Sequence, residues 1–160
     1  MISRMILAGV MLALGSGAAT AQALVDGTSI DEIANIARGY GSVSVETASS
    51  GNPMISGKID GVSYYLFFRN CSEAHTDCED INFYAGFLDN KQSLDAINAW
   101  NRDNRYLKAF HTAAEIPTAT VQYDVVVLSG EGVAQLADPL TVWLQLLPKF
   151  AAGMGYVPPR

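Results

Sequence analysis

Cys71, His75 and Cys78 bring two sulfurs and an imidazole within an eight-residue stretch, with Glu73, Asp77, Glu79 and Asp80 around them. Thiolates and imidazole are zinc ligands and a neighbouring carboxylate could complete a tetrahedron, but this spacing fits no common zinc module. A redox-active dithiol would use a Cys-x-x-Cys pair, which is missing. The carboxylates could hold calcium, yet they lack the alternating oxygen ligands and central glycine of a calcium loop, and a solvated loop tip is the simpler reading. These cysteines are the only two in the chain. In an oxidising compartment the default for such a pair is a disulfide, which closes a short loop and stabilises by about 2.5 kcal/mol in the chain-entropy treatment.

Other chemistry is poorly supplied. A hydrolase needs a base beside its nucleophile, and His75 and His111 are the only histidines. There is no Gly-x-Ser-x-Gly and no glycine-rich phosphate loop opening a helix. Asn98 and Asn101 lie about one turn apart on a predicted helix, where bonding to nearby backbone or a helix end is the simpler role than ligand contact. Tyr64, Tyr65, Tyr84 and Trp100 could stack on a small ligand in a pocket between a sheet and helices, although aromatics so placed more often build a core. We therefore assign no catalytic residue, no metal site and no cofactor, and expect a protein that is not an enzyme.

The amino terminus gives an address. Arg4 precedes an apolar run over residues 5–14, followed by Ala19-Thr20-Ala21 and Ala21-Gln22-Ala23, the three-part form of a secretory signal with cleavage expected near Ala21 or Ala23. The apolar run is about half of what a spanning helix requires. Cleavage would leave residues 24–160 as a single domain, periplasmic or secreted, in the environment where the cysteine pair oxidises. Arg4 is the only charge removed, so ten Lys and Arg become nine against sixteen Asp and Glu, and the net charge moves from -6 to -7. An acidic chain without a basic cluster is not built for nucleic acid or for anionic lipid. Residues 133–157 form its longest apolar region, but Asp138, Pro139, Pro148 and Lys149 interrupt it, so no integral membrane segment is expected after cleavage.

The elements that would position these residues follow from periodicity. Ser29-Ile30-Asp31-Glu32 reads as a capping box at the start of a helix with Ile30, Ile33, Ala34, Ile36 and Ala37 on one face, stopped by Gly39 and Gly41. Residues 43–47 and 54–59 read as paired strands. Asp60-Gly61 is the strongest hairpin turn in the chain, returning through residues 62–69. In residues 81–87, Ile81, Phe83, Ala85 and Phe87 alternate with Asn82, Tyr84 and Gly86, a strand with one buried face. The cysteine link would join this strand to the preceding antiparallel one.

Ser93 caps a second helix, 94–104, with Leu94, Ile97 and Trp100 inward. Residues 106–111 and 121–128 give further strands, the end of the second apolar on both faces and therefore expected to be central or covered. After a break at Gly130-Glu131-Gly132, Asp138-Pro139 opens a last helix in which Leu140, Trp143, Leu144, Leu147, Phe150, Ala151 and Met154 recur at helical spacing, with Pro148 marking a kink or an early end. The order describes an α+β domain: an antiparallel sheet of about five or six strands covered by three helices.

The run Ile81-Asn82-Phe83-Tyr84-Ala85-Gly86-Phe87, the Ile97-Asn98-Ala99-Trp100-Asn101 helix, Tyr106-Leu107-Lys108-Ala109, a long strand, a Gly-x-Gly-Val break and a Leu/Trp/Phe helix together resemble the YbjN-domain family of bacterial proteins. The resemblance spans residues 30–154. It implies a secretion-chaperone-like α+β fold, a tendency to pair, binding of other polypeptides and a place in sensory transduction, with no enzymatic chemistry. The signal and the cysteine pair depart from a cytoplasmic pattern, so a cytoplasmic partner does not carry over.

The reading is of an exported binding or regulatory domain acting through protein contact, its partner an unidentified protein or peptide or a second copy in a homodimer. The last helix carries more apolar side chains than one sheet-facing stripe needs. Val142, Trp143, Leu146, Leu147 and Phe150 are accordingly the candidate interaction surface. A small-ligand-binding protein or enzyme with a pocket between sheet and helices is the alternative.

Overall fold

The computed structural model describes residues 25–112, 115–127 and 136–158. In chain order the elements are α1 (Ile30–Arg38), β1 (Ser42–Thr47), β2 (Pro53–Ile59), β3 (Val62–Arg69), β4 (Asp80–Leu88), α2 (Leu94–Asp103), β5 (Lys108–Thr112), β6 (Thr118–Val126) and α3 (Ala137–Gly153). The six strands form one antiparallel sheet in the order β1-β2-β3-β4-β6-β5. This is the α+β architecture expected from the residue pattern.

The register is set by the Asp60-Gly61 turn. Both residues have positive φ, 49° and 77°, the backbone a two-residue hairpin turn requires. Ile59 is thereby opposed to Val62, and Gly57 to Tyr64. A Cβ at Gly57 would lie 2.2 Å from Tyr64 Cζ, so a glycine is needed for that ring to lie across β2.

Alternation then sorts the strands into two faces. Val62, Tyr64, Leu66 and Phe68 on β3, Ile81, Phe83, Ala85 and Phe87 on β4, and Ala119, Val121 and Val125 on β6 are buried together. All three helices lie on this side, α1 against β1 and β2, α3 against β3, β4 and β6, and α2 against β5. The core centres on α3. Trp143 is fully buried between Tyr64 and Phe83, with ring centroids 6.4 and 5.8 Å away, and Phe150 packs on Phe87 and Trp100 at 5.6 and 5.0 Å.

Several local expectations are revised. Ser29 makes no capping bond, because its backbone (φ -88°, ψ 39°) is not the extended conformation that aims a cap oxygen at the first turn. Instead, Asp26 Oδ1 accepts from Thr28 N, Thr28 Oγ1 and Ser29 Oγ at 2.9, 2.6 and 3.3 Å and shapes the entry to α1. Ser93 does cap α2, accepting from Ala96 N at 3.2 Å. Leu94, expected inward, is 66% exposed. The docking of α2 is made by its later residues, Trp100 on Phe150 and Asn101 on β5.

Strand β5 starts at Lys108, since Tyr106 has φ 72° and breaks the extended backbone. Strand β6 is central, between β4 and β5, as its two-sided apolar end allows, while Val126 is exposed on the face that carries no helix. Helix α3 starts at Ala137, so Asp138, expected as its cap, lies inside the first turn, and Pro139, expected as the first helical residue, is the third, where the proline's missing N–H would have had no partner anyway. The helix continues through Pro148 to Gly153, held by the burial of Leu147, Phe150 and Ala151 on either side of it. The proposed signal, Leu128 and the Gly130-Glu131-Gly132 break lie outside the described residues.

Candidate interaction surfaces

Cys71 and Cys78 are joined by a disulfide that ties the end of β3 to the start of β4. The loop between them is held by its own backbone: Ser72 N donates to Thr76 O at 2.8 Å, His75 N to Ser72 O at 2.9 Å and Glu79 N to Arg69 O at 3.1 Å. His75 Nδ1 pairs with Asn52 Oδ1 at 2.7 Å, and Asn52 Nδ2 donates to Phe68 O at 3.4 Å. Pro53 has no N–H to offer that carbonyl, so the Asn52 amide stands in for it. Sulfurs and imidazole are thus engaged in structure. Asp80 accepts from Asn70 Nδ2 at 2.7 Å, while Glu73, Asp77 and Glu79 are exposed.

His111 is half-buried beside the other end of the sheet, its Nε2 2.9 Å from Asn90 O. Asn90 is buried and ties three segments together: its Nδ2 donates to Met154 O at 2.9 Å, its Oδ1 accepts from Gln92 N at 3.1 Å, and its own N–H donates to Pro117 O at 2.9 Å. The bonds made by the two histidines go to an asparagine side chain and a backbone carbonyl. They do not activate a hydroxyl or thiol. Asn98 is exposed on α2, whereas Asn101 makes two bonds to one residue of β5, Nδ2 to Ala109 O at 2.9 Å and Ala109 N to Oδ1 at 2.8 Å. That amide occupies the ladder positions an additional strand would take.

Between the sheet and α3, Trp143 packs on Tyr64 and Phe83, and Phe150 on Phe87. Tyr64 and Trp100 are part of that packing, while Tyr65 and Tyr84 stand on the opposite face of the sheet, so the four aromatics do not converge on one pocket. On α3, Trp143, Leu147 and Phe150 are wholly buried in the single chain. Val142 and Leu146 pack against the core and remain half-exposed.

The helix-free face carries a row of aromatics that single-strand periodicity does not reveal. Tyr65 stacks on Phe67 at 5.8 Å, Phe67 meets the edge of Tyr84 at 5.8 Å, and the Arg69 guanidinium lies 5.8 Å from the centre of the Phe67 ring. Beside them a polar chain crosses four strands: Arg69 Nη2 donates to Asn82 Oδ1 at 3.2 Å, Asn82 Nδ2 to Asp124 Oδ1 at 2.6 Å, and Lys108 Nζ to Asp124 Oδ2 at 3.1 Å. Partial burial opposes ionisation of Asp124, but the Asn82 and Lys108 hydrogen bonds and the charges of Lys108 and Arg69 outweigh it and hold the carboxyl below the usual carboxylate range. Asn82, read from sequence only as a polar position in the alternation, is buried by this network. Its role depends on the neighbouring strands, which the sequence order alone does not pair.

Among the described residues no helix is long and apolar enough to cross a membrane. No curated protein matches the chain. The sequence profile of the YbjN family, described as a putative bacterial sensory transduction regulator, matches residues 29–155. That span runs from the turn before α1 to the end of α3 and takes in the whole sheet, and on it the chain belongs to the YbjN family.

Proposed function

We propose that this protein is an exported, non-enzymatic binding domain that regulates by protein contact, using the helix-free face of its sheet. The observation that carries this reading is the half-buried row of Tyr65, Phe67 and Tyr84 on the helix-free face, with Arg69 over it. Rigid aromatics and an arginine are the side chains that concentrate binding energy in protein interfaces. The family's description as a regulator agrees with it. The disulfide agrees with a periplasmic or extracellular location after removal of a signal near Ala21 or Ala23.

Self-association through α3 is a second contact. Val142 and Leu146 are one helical turn apart and half-exposed, a narrow apolar stripe that a second copy could cover. The test of the first reading is capture of a partner from intact cells by the wild type and by a Tyr65→Thr, Phe67→Thr variant, which keeps strand-compatible residues. The variant should retain its fold and lose the partner. Capture undiminished in the variant would refute the face, and Val142→Glu with Leu146→Glu tests the helix in the same experiment.

A further inference from the structure

The two edges of the sheet are treated differently. At β5 the outward N–H and C=O of Ala109 are both taken by the Asn101 side chain. At β1 nothing comparable occurs. Ala48 N donates to Asn52 O at 2.9 Å, which closes the β1–β2 hairpin. By antiparallel alternation Glu46, Ser44 and Ser42 then bond to β2, while the N–H and C=O of Val43, Val45 and Thr47 point off the sheet. Among the described residues no partner takes them. Five of the six residues of β1 are exposed, Val45 by 41%, and the strand has no proline or lysine of its own. An edge of this kind is an open template for strand addition, and natural folds otherwise protect it.

The edge also borders a groove. Between β1 and the amino-terminal end of α1 lies a cleft of about 430 Å³ whose lining includes Ile30, Val45 and Pro53 as its apolar part and Asp31, Glu32 and Glu46 as its charged part. No lysine or arginine lines it. A second copy brought edge to edge would set these carboxylates against their own copies, which disfavours self-pairing. A cationic strand meets no such opposition.

We infer that β1 is a strand-addition site for an extended polypeptide segment in which apolar residues alternate with Lys or Arg. The backbone of the segment continues the sheet beyond Val43, Val45 and Thr47. Its apolar side chains sit on the helix side against Ile30, Val45 and Pro53, and its cationic ones project from the opposite face beside Glu46. The inference deepens the proposal of polypeptide binding and rests on it, adding the site and the chemistry of the partner.

The test is an NMR titration of the protein with the acetylated, amidated peptide Lys-Val-Lys-Val-Lys-Val-Lys, and with its counterpart carrying Glu in place of Lys. The amides of Val43, Val45 and Thr47 should shift and gain hydrogen-exchange protection with the lysine peptide, and the glutamate peptide should bind at least about tenfold more weakly. Val45→Pro removes an outward N–H that the β1–β2 ladder does not use, so it should abolish binding with the hairpin intact. Should that variant not fold, Glu46→Lys gives the same answer by removing the preference for the lysine peptide. The site is overturned if these amides do not respond, if Val45→Pro binds as the wild type does, or if charge reversal leaves the preference unchanged. It is also overturned if the wild type proves to be a dimer that Val45→Pro dissociates, since the edge would then serve a second copy. Failure here with intact capture through Tyr65 and Phe67 removes the edge site and leaves the broader reading standing.

Discussion

Replacing Trp143 separates packing from recognition on α3, because the residue belongs to the stripe that sequence marks as an interaction surface and yet lies wholly inside the chain. Trp143→Ala removes an indole packed on Tyr64 and Phe83, where neighbours drawn from three elements cannot collapse fully into the space. The expected loss is about 3–5 kcal/mol. For a domain of this size that corresponds to a fall in Tm of roughly 10–20 °C. Trp143→Phe should cost far less. Among the described residues the buried Trp143 Nε1 has no hydrogen-bond partner, and removing an unsatisfied donor recovers about 1–3 kcal/mol that offsets much of the lost ring area. Urea denaturation followed by near-ultraviolet circular dichroism measures both variants. If Trp143→Ala keeps the wild-type midpoint but loses a partner, or if Trp143→Phe is as damaging as alanine, the packing account of this residue is wrong.

Other outcomes follow from the same structure. Protein recovered without reductant should contain no free thiol and weigh two protons less than its reduced form, and reduction should lower stability by about 2.5 kcal/mol; two titratable thiols would contradict the bridge. Asn101→Ala should cost about 1–2 kcal/mol, the net worth of two hydrogen bonds, and speed exchange of the Ala109 amide; unchanged exchange would show that the amide does not seal that edge. Asp124 has a folded-state pKa below its unfolded value, so its contribution is present above about pH 4 and is lost as pH falls through the folded value. Asp124→Asn should therefore flatten the acid side of the stability curve slightly, the effect being small because the group is half-exposed; equal curves for the two proteins would remove the network from the account.

Much of the sheet was legible because its physics is local. The Asp60-Gly61 turn and the alternation in residues 81–87 depend on neighbours in sequence, and both strands and their buried sides appear where those patterns place them. Ser93 was readable as a cap for the same reason. What escaped is settled between distant segments. Leu94 keeps helical spacing with Ile97, but burial is decided by where α2 meets β5 and α3. The excess apolar arc of α3 was visible, whereas its use was not: Trp143, Leu147 and Phe150 serve a core built from three strands. The aromatic row and the polar chain from Arg69 to Lys108 exist only once β3, β4, β6 and β5 lie side by side.

The claim that this domain works outside the cytoplasm through protein contact on its helix-free face is most directly tested by site-specific photocrosslinking in living cells. A photoreactive residue at Phe67 places the probe in the aromatic row, and one at Asn98 on the exposed side of α2 provides the comparison. The account predicts a discrete crosslinked polypeptide from Phe67, recovered with the mature, disulfide-bonded chain outside the cytoplasm, and none from Asn98. A chain retained uncleaved in the cytoplasm, or no polypeptide captured from Phe67, would contradict it.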